Sequence, residues 1–159
     1  MDASKQERAF RFESYIMDWF QKEKAINISH YHLIEEQIHK GENRQGIEIK
    51  NDQRLQNTGN VFISVKKVYN QGEYQYPTGI YKKDQNDLDQ CWLYVIGNKN
   101  EHWVFSSKLL RQYFEKYKPE LKKGADLPKG GVEYGFVLSR KLCDNMCIAQ
   151  HNVQQELVL

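Results

Sequence analysis

A glutamate and a lysine two positions apart, Glu48 and Lys50, are the residues of this chain whose types and spacing best suit chemistry. They lie in the run 46–52, GIEIKND, whose alternation of apolar and charged residues predicts a half-buried strand. Side chains two positions apart on a strand share one face, so a carboxylate and an ammonium group stand side by side. A strand with a solvated charged face has the same pattern, and the spacing alone leaves that interpretation open.

This pair suits hydrolysis of a phosphodiester bond if a second acid joins it. Carboxylate oxygens are the ligands that Mg²⁺ prefers, and Mn²⁺ can substitute for it in such a site. The ion stabilises developing charge and lowers the pKa of a bound water, while the lysine orients or activates that water. Glu42 lies six residues before Glu48 across a predicted turn, and Glu13 comes from a preceding helix, so three acids can converge on one metal ion.

The elements that position these residues follow from apolar periodicity and turn signals. Residues 6–24 predict an amphipathic helix, and Glu13 falls inside its apolar stripe, where a carboxylate needs a partner. A turn at 58–60 leads to the β-branched run 61–65, a second strand that we expect beside the first in one sheet.

The rest of the chain alternates between strand and helix signals. Strands are predicted over 91–96 and 102–105, joined by a hairpin loop, over 132–138, and briefly around 79–81. Helices are predicted from Ser106 or Ser107 to Pro119 and over 139–150, a loop over 122–131, and either helix or strand over 26–40. This order predicts the α+β or α/β class, with helices packed against a mixed sheet.

Composition narrows the class of protein. A length of 159 residues fits a single domain, 1–159. The net charge is 23 − 21 = +2, so affinity for nucleic acid must come from a local patch. The apolar runs are far shorter than the roughly 20 residues of a membrane span, and the polar N-terminus shows no secretory signal. We therefore expect a cytoplasmic protein without a membrane partner.

Two groups of basic residues are candidates for contact with nucleic acid. One flanks the polar stretch 69–90 and interleaves with tyrosines, which suits contact with a phosphate backbone or with exposed bases. The other lies in the predicted helix before Pro119. A solvated helix face and packed tyrosines are the alternative interpretations. The candidate residues are Lys66, Lys67, Lys82, Lys83, Lys108 and Arg111.

Other combinations of metal-ligating residues are weaker candidates. Cys143, Cys147 and His151 follow one another at intervals of four, which spreads them over two helical turns of about 5.4 Å each. That span is too long for one ion with ligands ~2.0–2.3 Å away, so we expect the cysteines to be buried thiols. His30 and His32 could chelate a metal if they lie on a strand.

The string around the acid–lysine pair resembles a known family. Residues 41–52, GENRQGIEIKND, continue into TGNVFI at 58–63, and the later segments PTGIY at 77–81 and WLYVIG at 92–97 fit the same pattern. Together they resemble the PD-(D/E)XK, or restriction-endonuclease-like, nuclease superfamily, in particular its small phage and bacterial members. The resemblance covers residues 36–105.

This resemblance implies an αβββαβ core and Mg²⁺-dependent cleavage of DNA. It assigns Glu42 as the first acid, with Glu36 or Glu35 as alternatives. It also assigns Glu48 as the second metal ligand and Lys50 as the catalytic lysine. One such site cuts one strand, so cleavage of both strands implies a homodimer. The alternative is a catalytically inactive module on the same fold that binds nucleic acid or a protein partner.

Overall fold

A computed structural model of the chain describes residues 3–26, 46–84 and 86–152. In these ranges the helices are α1 (Ala3–Lys24), α2 (Leu55–Thr58), α3 (Ser107–Tyr117) and α4 (Arg140–Met146). The strands are β1 (Ile47–Asn51), β2 (Asn60–Tyr69), β3 (Tyr74–Pro77), β4 (Leu93–Gly97), β5 (Glu101–Ser106), β6 (Lys122–Leu127), β7 (Gly131–Ser139) and β8 (Ala149–Asn152).

The described strands form two four-stranded sheets. The first has the order β1-β4-β5-β8, with β1 parallel to β4 and the other pairs antiparallel. The second has the order β3-β2-β7-β6 and is antiparallel throughout. The structure is thus mixed α/β, with two sheets flanked by helices, in agreement with the predicted α+β class.

The prediction that β1 and β2 are neighbours in one sheet is wrong, because the chain changes sheets between them. The Asp52 carboxylate accepts hydrogen bonds from the backbone N–H groups of Arg54 at 3.0 Å, Leu55 at 3.2 Å and Phe62 at 2.9 Å. Helix α2 then ends at Gly59, whose φ of 70° is a left-handed conformation that glycine adopts without strain. Alternation predicts the two faces of a strand but not its partner, so the sequence pattern could not reveal this turn.

The first sheet separates two apolar layers. Helix α1 packs Phe12, Ile16 and Phe20 against one face, which carries Ile47 and Ile49 of β1. The opposite face contributes to a larger cluster that also contains residues of the second sheet and of α3. Fully buried members of that cluster include Tyr94, Phe105, Ile63, Leu110 and Phe136.

Several predicted elements are confirmed, with small shifts of their ends. Helix α1 covers the predicted range 6–24, and β4 and β5 form the predicted hairpin. Helix α3 begins after Ser106, whose hydroxyl accepts a hydrogen bond of 3.4 Å from the N–H of Leu109, and it ends before Pro119. These elements carry strong local signals, which is why the sequence alone located them.

Three local predictions are wrong. The predicted loop 122–131 contains β6, residues 79–81 form a 3₁₀ turn instead of a strand, and the helix predicted over 139–150 ends at Met146 and is followed by β8. Strands β6 and β8 are the outermost described strands of their sheets, and their extended form depends on pairing with β7 and β5 rather than on an apolar pattern. Residues 27–40, which include His30 and His32, lie outside the described residues.

Among the residues that the structure describes, no helix combines the length and the apolar character needed to cross a membrane.

Candidate active site

Glu48 and Lys50 lie on β1, the outermost of the described strands of the first sheet on its side. The Nζ atom of Lys50 lies 2.6 Å from Oε1 of Glu48, so the two side chains form an ion pair. The Glu48 side chain is 8% exposed and the Lys50 side chain is 40% exposed. The pair therefore sits at the border between interior and solvent, with the lysine on the solvent side.

The local sequence positions this pair through the two faces of β1. Ile47 and Ile49 pack in the α1 layer, so alternation turns Glu48 and Lys50 to the opposite face. Strand β1 runs parallel to β4 with Glu48 opposite Tyr94, and side chains at paired positions share a face of the sheet. The acid and the lysine therefore lie on the same face as Tyr94.

Glu13 of α1 joins this pair. Its side chain is half-buried, and burial raises the pKa of its carboxyl group. Lys50 lowers this pKa and Glu48 raises it, so Glu13 lies within the electrostatic field of both residues. The structure thus pairs Glu48 with Lys50 and places Glu13 within electrostatic range of both residues.

Glu13 and Glu48 offer carboxylate oxygens, the type of ligand that Mg²⁺ and Mn²⁺ prefer. Mg²⁺ commonly keeps several waters while one or two carboxylates hold it. Within the described ranges, no group of three or more His, Cys, Asp or Glu side chains could hold a metal ion. Glu42, the predicted first acid, and its alternatives Glu36 and Glu35 lie outside those ranges.

Tyr94 is a polar group of this site that the sequence did not indicate. Its side chain is fully buried, and its hydroxyl has no hydrogen-bond partner among the described residues. Burial raises the pKa of this hydroxyl, Lys50 lowers it, and Glu48 and Glu133 raise it further. The hydroxyl therefore lies in the field of the charged groups. In the sequence, residues 91–96 form an apolar run with no sign of a polar site. The proximity of Tyr94 to Glu48 depends on the pairing of β1 with β4.

Glu133 brings the second sheet into the same region. It lies on β7, and the hydroxyl of Ser64 on β2 donates a hydrogen bond of 2.5 Å to its carboxylate. Ser64 is buried, so this bond fixes the carboxylate on the sheet. Glu133 lies far along the chain from Glu48, and no spacing signal could have linked the two residues.

Trp92 flanks the site just before β4. Its indole lies over Gly46, two residues before Glu48: a Cβ added at Gly46 would lie 2.9 Å from Cδ1 of the ring. The Trp92 side chain is 60% exposed. An exposed aromatic ring beside an acid–lysine pair offers a surface on which a nucleotide base can stack.

Two of the predicted nucleic-acid contacts line one groove on the second sheet. Lys66 and Lys83 border a cavity of about 450 Å³ together with Tyr76 and Tyr81. Lys83 also forms an ion pair with Asp89 at 2.6 Å. The interleaving of lysine and tyrosine that the sequence suggested is therefore present at this groove.

The remaining basic candidates lie in different settings. Arg111 fastens the polar stretch to α3: its guanidinium lies 3.1 Å from the carboxylate of Asp89 and donates a hydrogen bond of 2.8 Å to the carbonyl of Ile80. Contact of Arg111 with nucleic acid stays a prediction. The other candidates are Lys67 and Lys82, both half-buried, and Lys108, which is exposed.

The cysteines are thiols within the fold. Cys91 and Cys143 are buried and Cys147 is half-buried. Burial raises the pKa of the Cys143 thiol to about 12. Cys143 lies on α4 and His151 on β8, where His151 stacks on His102 with ring centroids 5.3 Å apart.

Searches against protein-family models, curated proteins and solved structures find no match to this chain. The fold therefore defines only a broad class, that of mixed α/β proteins with two sheets flanked by helices. The resemblance to the PD-(D/E)XK nucleases stays a prediction from the sequence.

Proposed function

We propose that this chain is a divalent-metal-dependent endonuclease that hydrolyses phosphodiester bonds of DNA, built on a restriction-endonuclease-like αβββαβ core. The observation that carries the proposal is the ion pair of Glu48 and Lys50 on β1, with Glu13 in its electrostatic field. Carboxylates that can hold a divalent ion beside a lysine are the groups that such hydrolysis uses. The resemblance of residues 41–63 to the nuclease motif supports the same assignment.

Each residue of the pair then has a defined task. Mg²⁺, or Mn²⁺ in its place, supplies Lewis-acid stabilisation and an activated water when bound. Glu48 and Glu13 hold the ion through their carboxylate oxygens, with Glu42 as the further ligand that the sequence predicts. The Lys50 ammonium, released from Glu48, orients the attacking water and offsets the charge of the phosphate.

Substrate binding is assigned to basic and aromatic side chains of the second sheet, of the polar stretch 69–90 and its flanks, and of α3. Lysines that neutralise phosphates release counterions, which gives affinity without sequence preference. Exposed rings such as Trp92 allow bases to stack. Cleavage of both strands requires two copies of the site, and hence a homodimer. The lysines assigned to DNA are Lys66, Lys67, Lys82, Lys83 and Lys108.

Cleavage of supercoiled plasmid tests this proposal. The wild-type protein is expected to nick or linearise the plasmid in Mg²⁺ or Mn²⁺ and to stop when EDTA is added. Lys50→Ala and Glu48→Gln are expected to lower the rate by about 100-fold or more while DNA binding in a gel-shift assay persists. Lys141→Ala, at an exposed lysine on α4, is the matched control and keeps full activity.

One result contradicts the proposal. Wild-type protein that binds DNA but cleaves it in neither Mg²⁺ nor Mn²⁺ would favour the alternative of an inactive binding module.

A further inference from the structure

We propose that the Tyr94 hydroxyl is a positioning group of the Glu48–Lys50 site, which donates its hydrogen to a water molecule in the hydration shell of the divalent ion. This inference rests on the proposed function, and it assigns a role to a residue outside the acid–lysine motif.

The Tyr94 hydroxyl is a buried polar atom without a hydrogen-bond partner among the described residues. The Tyr94 side chain is fully buried. An unsatisfied buried hydroxyl is unfavourable, and phenylalanine would fill the same space without it. The tyrosine at this position therefore indicates a partner that binds there.

The Tyr94 side chain lies on the same face of the sheet as the acid–lysine pair. Tyr94 is the register partner of Glu48 on the neighbouring parallel strand. The charges that act on the hydroxyl include those of Lys50, Glu48 and Glu133. The ring of Tyr94 therefore packs in the apolar cluster, while its unsatisfied hydroxyl lies in the field of these charged groups.

The burial of Tyr94 limits the size of a partner that can reach its hydroxyl. A fully buried atom is out of reach of a phosphate group on DNA, whereas a water molecule is small enough to reach it. Mg²⁺ keeps several of its waters when carboxylates bind it, and Glu48 is the carboxylate beside Tyr94. Hydrogen bonds to the ligands of an ion orient those ligands and tune the affinity of the site.

Tyr94→Phe tests this assignment through Mn²⁺ binding, measured by electron paramagnetic resonance and by thermal unfolding. Without metal, the variant is expected to unfold at the same temperature as the wild type or higher, because the ring still packs. Its dissociation constant for Mn²⁺ is expected to rise by about 10-fold or more, with a smaller stabilisation by the metal. Tyr113→Phe, in the half-buried edge of the same core cluster, is the control that keeps wild-type affinity.

The outcomes separate this inference from the proposed function. Wild-type Mn²⁺ affinity in Tyr94→Phe, together with loss of binding in Glu48→Gln, overturns the role of Tyr94 and leaves the nuclease proposal standing. A wild-type protein that neither binds Mn²⁺ nor cleaves DNA overturns both.

A crystal structure of the wild-type protein with Mn²⁺ gives a second test that does not depend on any variant folding. An ordered water about 2.7–3.0 Å from Oη of Tyr94 and bonded to the ion supports the assignment. An ion at Glu48 with no water at the hydroxyl overturns it.

Discussion

Glu13 carries a charge that the fold disfavours. Because burial raises the pKa of its carboxyl group, the folded state holds a proton on Glu13 more tightly than the unfolded state does. Stability from this group is therefore full at low pH and falls as pH rises through the raised pKa. A divalent cation bound between Glu13 and Glu48 would remove this penalty, since it pairs the buried charge.

Glu13→Gln is expected to be at least as stable as the wild type at pH 7 and to bind Mn²⁺ less tightly. The gain in stability of Glu13→Gln over the wild type should grow as pH rises above 4.5, the ordinary pKa of a glutamate carboxyl group. The gain should vanish at lower pH. Thermal unfolding across a pH series measures this difference. Glu7→Gln, exposed on the same helix and paired with Arg11, should show no such gain. A Glu13 variant that is less stable than this control at pH 7 would contradict the argument.

At the scale of single residues, local patterns predicted the acid–lysine pair and Glu13 but not their neighbours. Glu48 and Lys50 belong to a two-residue alternation, and Glu13 interrupts a helical stripe, so each is visible within a few positions of the chain. Tyr94 shares a face with Glu48 only through strand pairing, and Glu133 comes within electrostatic range of the Tyr94 hydroxyl from the second sheet. No local rule contains that information.

At the scale of elements, the turn between β1 and β2 determines where the site lies. The Asp52 carboxylate receives three backbone N–H groups and so ties the end of β1 to the start of β2. This connection joins the strand that carries Glu48 to the sheet that carries Glu133. Loss of these bonds leaves backbone donors unsatisfied where the chain changes sheets.

Asp52→Ala is expected to lower the free energy of unfolding by about 2 kcal/mol, because a partly buried acceptor of three bonds is removed. Urea denaturation measures the change. Asp84→Ala is the matched control: its carboxylate accepts bonds from the N–H groups of Asn86 and Leu88 in an exposed loop, and its loss should cost less than about 1 kcal/mol. Equal losses of unfolding free energy in the two variants would show that the Asp52 turn stabilises the fold no more than an exposed loop does.

Element boundaries were predictable where a cap or a periodic face marks them. Ser106 and Pro119 bracket α3, and the helical stripe marks α1. Strand β6 begins with two lysines and has no buried residue, so it has no apolar alternation to detect. Strand β8 begins at Ala149, inside the range 139–150 that was predicted to be helical. Both depend on partners distant in the chain, as does the division into two sheets.

At the scale of the whole molecule, α1 packs on the first sheet around a buried histidine. His102 on β5 is fully buried, with the rings of Trp19, His151 and Tyr15 at 4.7, 5.3 and 5.8 Å from its own. Burial, together with a smaller contribution from His151, lowers the pKa of His102 to about 4. The folded state therefore binds a proton here less readily than the unfolded state, whose histidine has a pKa of 6.5.

Stability is accordingly expected to fall as pH drops from 6.5 to about 4, because the unfolded state binds more protons across this window. The loss from this one group is roughly 3 kcal/mol. His102→Phe keeps the ring contacts and removes the titration, so its unfolding free energy should depend less on pH in this window. His151→Gln leaves His102 buried and should retain most of the dependence. Identical pH profiles for the wild type and His102→Phe would refute this role.

The central claim for the whole molecule is that a divalent cation binds at Glu48. Anomalous diffraction from crystals soaked in Mn²⁺ tests it most directly, because the peak locates the ion and its ligands together. We predict a peak about 2.0–2.3 Å from the Glu48 carboxylate, with Glu13 in the same cluster and Lys50 released from its ion pair. A saturating soak that leaves no peak at Glu48 and an intact Glu48–Lys50 ion pair would contradict the claim.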